Sequence, residues 1–126
     1  MQAIGPTSVL IVEDEFLVAM DIEATLLDAS WNVVGAVPDV AQALALLTCM
    51  TPNAVCLDMN LKGELSTPIA AELKRRRIPF VVLTGYSSSN VTDPVYQGAP
   101  VVHKPFAAGE LLAALTAVME EGGNDQ

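Results

Sequence analysis

The chain has 126 residues, is 52% hydrophobic but only 5% aromatic, and carries a net charge of -9, which describes one domain with a core of Ala, Val and Leu. The acidic balance argues against a nucleic-acid surface, because phosphate binding needs clustered Lys and Arg to displace counterions. No apolar run approaches the roughly 18 to 20 residues of a membrane span, and the opening MQAIGPTS has no basic region leading into a long apolar core. A soluble cytoplasmic protein is expected: a single domain over residues 1–126, with a core of about 8–121, a flexible leader 1–7 and a flexible tail 122–126. Ser8 to Val12 reads as the first strand. Glu13, Asp14 and Glu15 then open a helix to about Ala29, acids in its first turn, with Val18, Ile22, Leu26 and Ala29 as the apolar stripe. Trp31 to Val37 is the second strand, and Asp39 caps a helix from Val40 to Cys49 whose inward residues are Ala41, Leu44 and either Leu47 or Ala45.

Thr51-Pro52 stops that helix, since proline keeps its predecessor out of helical angles. Ala54, Val55, Cys56 and Leu57 then read as a short strand buried on both faces, ending abruptly in Asp58. Leu61 to Leu65 is a loop around Gly63, and Ser66-Thr67-Pro68 caps a helix ending near Arg77. Ile78 to Leu83 is the fourth strand. Within Ser87 to Gly98 the serines favour a cap and Pro94 breaks the pattern, so one to two helical turns and an irregular loop both remain open. Pro100 to His103 is the fifth strand, and Lys104-Pro105-Phe106 leads into a last helix from Gly109 to about Glu121. Alternating strands and helices predict an α/β fold: a doubly wound five-stranded parallel sheet with helices on both faces, the fourth helix short or irregular.

Several features read more plainly as structure than as chemistry. Cys49 and Cys56 lie at a helix end and inside a buried strand, with no His spacing for a metal site. His103 reads as strand-edge structure. Lys74-Arg75-Arg76-Arg77 suits a helix C-terminus, where the dipole favours cations, with a docking patch for an acidic partner as the rival. The last helix is apolar almost all round through Leu111, Leu112, Ala113, Ala114, Leu115, Ala117, Val118 and Met119. That leaves open an ordinary covering helix or a homodimer or partner surface.

The strand ends carry the chemistry. Glu13 and Asp14, Asp58, Thr84 and Lys104 each follow an apolar run, and in a parallel sheet those ends open on one edge. Three crowded carboxylates need a cation or a proton, and hard oxygen donors with room for water suit Mg2+ rather than zinc. Asp58 with Mg2+, Thr84 and Lys104 is equipment for in-line phosphoryl transfer to a carboxylate.

In that order the residues resemble a response-regulator receiver domain of two-component signalling, over nearly the whole chain: the acidic pair Glu13-Asp14, then Asp58, Thr84 and Lys104-Pro105-Phe106. The resemblance implies a flavodoxin-like fold and Asp58 as phosphoacceptor. It implies Mg2+ held by Asp14, Asp58 and the backbone carbonyl of Asn60, with Glu13 acting through water. It also implies Thr84 and Lys104 on the phosphoryl group and a cis Lys104-Pro105 peptide. One departure is Val101, three residues before the lysine, where most receivers carry a switching Tyr or Phe. Leu83-Thr84-Gly85-Tyr86 looks instead like a subgroup with a Phe-Ala-Thr-Gly-x-Tyr signature, which makes Tyr86, with Thr84, the expected switch and Thr84 to Gly98 the segment that responds. Implied partners are a histidine kinase or histidine phosphotransfer protein and a downstream protein target. The expected function is a stand-alone phospho-switch or phosphorelay component, since the chain leaves no room for an output domain, and one that catalyses only its own phosphorylation and dephosphorylation. A receiver-like interaction module without phosphate turnover and a small Mg2+-dependent phosphohydrolase are the rivals. Acetyl phosphate labelling separates the first, and sustained phosphomonoester turnover the second.

Overall fold

Strand-length apolar runs separated by amphipathic segments fold as expected of a βα repeat. The structure, a computed structural model, describes residues 7–85 and 93–124. The leader 1–6, residues 125–126 and the segment 86–92, with Tyr86 and the serines after it, lie outside the described residues. Five strands, β1 (Ser8–Val12), β2 (Asn32–Val37), β3 (Ala54–Asp58), β4 (Phe80–Thr84) and β5 (Val101–His103), form one sheet in the order β2-β1-β3-β4-β5. Every pairing in it is parallel. Among the described residues the helices are α1 (Phe16–Asp28), α2 (Val40–Leu47), α3 (Thr67–Arg75) and α4 (Ala108–Asn124), with a 3-10 turn at Pro94–Tyr96 before β5. This is the expected doubly wound α/β architecture, a five-stranded parallel sheet with helices on both faces.

Side chains alternate across the strands, and the two faces bury separate cores. Leu10, Val12, Val55, Leu57 and Val82 face α2 and α3, whereas Val9, Ile11, Cys56, Val81 and Leu83 face α1 and α4. All of β3 is buried, as its unbroken apolar run requires. Its register sets Val12 beside Leu57 and Leu57 beside Val82, which aligns the carboxyl ends of the three central strands.

Several local expectations are corrected. Glu13, Asp14 and Glu15 do not form the first turn of α1: helical residues begin at Phe16, Glu15 is the cap, and no acid lies in the first turn. Glu13 instead continues β1 and its amide donates to the Val37 carbonyl at 3.0 Å. The buried stripe of α1 is Ala19, Ile22 and Leu26, with Ala29 outside the helix. On α2 the inward residues are Val40, Ala43 and Leu47, while Ala41 and Ala45 are exposed. Asp39 caps that helix through the Gln42 amide at 2.8 Å. The Leu61 to Leu65 loop is part of a miniature antiparallel hairpin, Asn60–Leu61 against Glu64–Leu65.

Helices α1 and α3 end alike. Ser30 (φ 68°) and Arg77 (φ 59°) adopt left-handed angles, and the next amides close six-residue turns, Trp31 to the Leu26 carbonyl and Ile78 to that of Leu73. The basic run is divided in role. Lys74 and Arg75 sit in the last turn of α3, while Arg76 reaches back to the Leu47 carbonyl at 2.6 Å and to Thr51 at 2.8 Å, clamping the end of α2. On α4, Leu111, Leu115 and Val118 are buried and Ala113 and Ala117 are exposed. The helix runs through Gly122 to Asn124, beyond the expected end. Among the described residues the large exposed apolar side chains lie mainly on α1: Phe16, Leu17, Met20 and Leu27. No helix among them is long and apolar enough to cross a membrane.

Candidate functional site

The strand ends meet. Carboxylate oxygens of Glu13, Asp14 and Asp58 all lie within 4.8 Å of one another. The Lys104 ammonium, on the turn after β5, stands 3.2 Å from Glu13 Oε1 and 3.3 Å from Asp58 Oδ2. Parallel pairing explains the convergence: Asp58 lies beside Leu83, Thr84 beside His103, and Lys104 follows at once. The Lys104 amide donates to the Thr84 carbonyl at 2.8 Å, so the backbone extends the β4–β5 ladder right up to the ammonium-bearing residue. The next peptide, Lys104-Pro105, is cis.

Glu13 and Asp58 are 3% and 4% exposed, and two carboxylates so placed cannot both ionise cheaply. Burial, reinforced by the Glu13 charge, pushes Asp58 up to about 8 despite the opposing pull of Lys104. Glu13 is raised too, again by burial, against the Glu15 amide and Lys104. Burial alone would lower Lys104, but Asp58 and Glu13 together hold it above its ordinary value. With all three carboxylates ionised the cluster would carry more negative charge than one ammonium offsets, so full ionisation calls for a divalent cation beside Lys104.

The donor set suits Mg2+: oxygen ligands only, at the mouth of a cleft of about 490 Å³ lined by Asp14, Asp58, Asn60, Lys104, Val18 and Phe106. Asn60 is exposed on the hairpin after Asp58, where its amide approaches Asp58 Oδ1 at 3.4 Å and its side chain accepts from the Gly63 amide at 2.8 Å. The same hairpin donates the Lys62 amide to Asp14 Oδ2 at 3.0 Å, which orients the half-buried carboxylate. Thr84 is buried at the end of β4.

Glu13, Asp14, Asp58, Asn60, Thr84 and Lys104 are thus gathered at one edge, while Tyr86 falls outside the described residues. Two interactions escape sequence reading. Glu15 pairs with Lys104 from the solvent side at 3.6 Å, a contact with no motif behind it. Tyr96, almost wholly buried, shares a 3.1 Å hydrogen bond with Ser66. That bond takes the Ser66 hydroxyl expected to cap α3, which has no side-chain cap.

Residues 9–116 match the family described as response regulator receiver domain. The transcriptional regulatory protein PdtaR of Mycobacterium tuberculosis is 30% identical over 113 residues, 87% of this chain and 55% of that protein, and the chain spans about half the length of the curated relatives it matches. Among solved structures, SdrG from Sphingomonas melonis Fr1 is 43% identical with a TM-score of 0.79, covering 90% of this chain and 97% of that one. The BeF3-activated conformation of SdrG is 40% identical at a TM-score of 0.72, covering 88% and 97%.

Proposed function

The chain belongs to the response regulator receiver domain family, whose members serve phosphorylation-dependent signalling, and from that premise we propose that it is a phosphorylation-activated response regulator with Asp58 as phosphoacceptor. The donor is the phosphohistidine of a histidine kinase or histidine phosphotransfer protein. A carboxylate oxygen of Asp58 attacks phosphorus in line. The P–N bond to histidine breaks as the P–O bond forms, and the leaving imidazole keeps the electron pair. The observation that carries this reading is the Lys104 ammonium 3.3 Å from Asp58 Oδ2 inside a carboxylate cluster.

Asp14 and Asp58, with the Asn60 carbonyl, are the proposed Mg2+ ligands, and Glu13 acts through water. Bound Mg2+ would supply charge neutralisation and coordination positions for phosphoryl oxygens. Lys104 moves its ion pair from the carboxylates to the incoming phosphoryl group, and the Thr84 hydroxyl takes another of its oxygens. The exposed Phe16 and Leu17 stand in the chain between Glu15 and Val18, which line the cleft, and offer an apolar surface for the donor protein. A homodimer through α4 has chiefly Ala113 and Ala117 to build on.

Thr84, Tyr86 and the segment to Gly98 form the proposed switch, supported by Val101 in place of the usual aromatic and by the BeF3-activated conformation described for SdrG. About two added negative charges at a prepared cation site bias a two-state segment. A pure interaction module would have no need of buried Glu13 and Asp58, whose desolvation costs stability.

Acetyl phosphate with Mg2+ tests this. A phosphoryl adduct mapped by mass spectrometry to Asp58, absent from Asp58→Asn, is expected. A wild-type protein without an adduct, or one modified elsewhere, rejects it.

A further inference from the structure

The Ser66 and Tyr96 side chains meet in the core, 30 residues apart in sequence, their oxygens separated by 3.1 Å. Ser66 is fully buried and Tyr96 is 2% exposed. A buried hydroxyl left without a partner costs about 1–3 kcal/mol, so this contact is either made or broken, with no inexpensive intermediate. Such a bond specifies one packing of the two segments that carry it.

Both segments lead somewhere. The Ser66 amide donates to the Met59 carbonyl at 2.9 Å, and the Met59 amide donates to the Leu83 carbonyl at 2.9 Å. Ser66 therefore closes the base of the hairpin that follows Asp58, the hairpin whose Asn60 and Lys62 amides meet the Asp58 and Asp14 carboxylates. On the other side Tyr96 ends the 3-10 turn, and its carbonyl accepts the Ala99 amide at 3.1 Å on the way to β5. Burial is the main cause that raises the Tyr96 hydroxyl, and the hydrogen bond to Ser66 opposes it.

We infer that the Ser66–Tyr96 hydrogen bond transmits occupancy of the Asp58 site to the Pro94–Gln97 turn, making both residues positioning elements of the switch. The inference rests on the phosphoacceptor reading above. It gives the signal a route through the hairpin, independent of any aromatic residue at position 101. A second tie on the same turn, from the Lys74 ammonium to the Pro94 and Gln97 carbonyls at 3.4 and 3.3 Å, is exposed and does not touch the hairpin.

The test uses Mg2+ with beryllofluoride as the phosphoryl mimic, with binding followed by fluorine NMR and amide exchange read at Gln97 and Ala99. In wild type, occupancy changes exchange at these amides about fivefold or more, the lower end of ordinary coupling between sites. In Tyr96→Phe and in Ser66→Ala, both of which still bind beryllofluoride, the change falls below about twofold, while Lys74→Met keeps the wild-type response. Two variants guard against one failing to fold. Wild-type response in both variants, no response in wild type at saturation, or equal loss in Lys74→Met overturns the inference. Wild type that does not bind beryllofluoride overturns the phosphoacceptor reading first, and the inference falls with it.

Discussion

Replacing Asp58 by Asn removes one of two buried carboxylates and should stabilise the metal-free protein, increasingly so as pH rises. Asp58 is moved from an ordinary 3.8 to about 8, so the folded protein holds this proton far more tightly than the unfolded chain does. The sign follows from linkage. Stability tied to this group is full below about pH 4, where both states are protonated, and is lost progressively as pH climbs to about 8. At about 1.4 kcal/mol per tenfold change in the proton equilibrium, the upper bound on that loss is roughly 6 kcal/mol. Asp58 lines a cleft and Lys104 can follow it, so relaxation brings the expected difference between Asp58→Asn and wild type at pH 8 to about 2–3 kcal/mol. For a domain of this size that is roughly 6–12 °C in Tm. Thermal unfolding of both proteins between pH 4 and 8 in chelator measures it. Added Mg2+ should stabilise wild type by about 2.7 kcal/mol at a hundred times its Kd, and Asp58→Asn far less. A pH-independent difference, or an Asn variant less stable than wild type at pH 8 without Mg2+, refutes the reasoning.

Mg2+ must displace the proton that Asp58 holds up to about pH 8. Its apparent affinity should therefore rise by up to about tenfold per pH unit from 6 to 8 and then level, with proton release visible by calorimetry in buffers of different ionisation enthalpy; a flat profile counts against the assignment. Arg76→Ala should cost about 2 kcal/mol in urea unfolding, because it leaves the Leu47 carbonyl and Thr51 without their charged donor. Arg75→Ala, whose pair with Glu72 is at the surface, should cost under about 0.5 kcal/mol, and equal losses would refute the clamp. Ser30→Gly should add about 0.5–1 kcal/mol by relieving a left-handed backbone at φ 68°, and a loss of stability would contradict that.

What could be read from the sequence depended on contrast. β3 was legible because Ala54 to Leu57 are apolar without a break and Asp58 ends the run, and the convergence at one sheet edge was legible because Glu13, Asp58, Thr84 and Lys104 each close such a run. The Ala-rich α2 offers little contrast between faces, so Ala41 and Ala45 look as buried as Ala43. The start of α1 was misread because Glu13 and Asp14 satisfy the rule for acids at a helix N-terminus while serving the strand end. The hairpin after Asp58 has strands of two residues, too short for any period. The Arg76 clamp and the Ser66–Tyr96 bond join residues at least 25 positions apart, where neither spacing nor propensity carries a signal.

A crystal structure with Mg2+ and beryllofluoride bound is the most direct check on the convergence of the strand ends. Beryllium should sit on a carboxylate oxygen of Asp58, with its fluorines held by the Lys104 ammonium and the Thr84 hydroxyl and with Mg2+ bound by Asp14, Asp58 and the Asn60 carbonyl. Beryllofluoride on another residue, or Lys104 turned away from it toward Glu13 and Glu15, would contradict the proposed site.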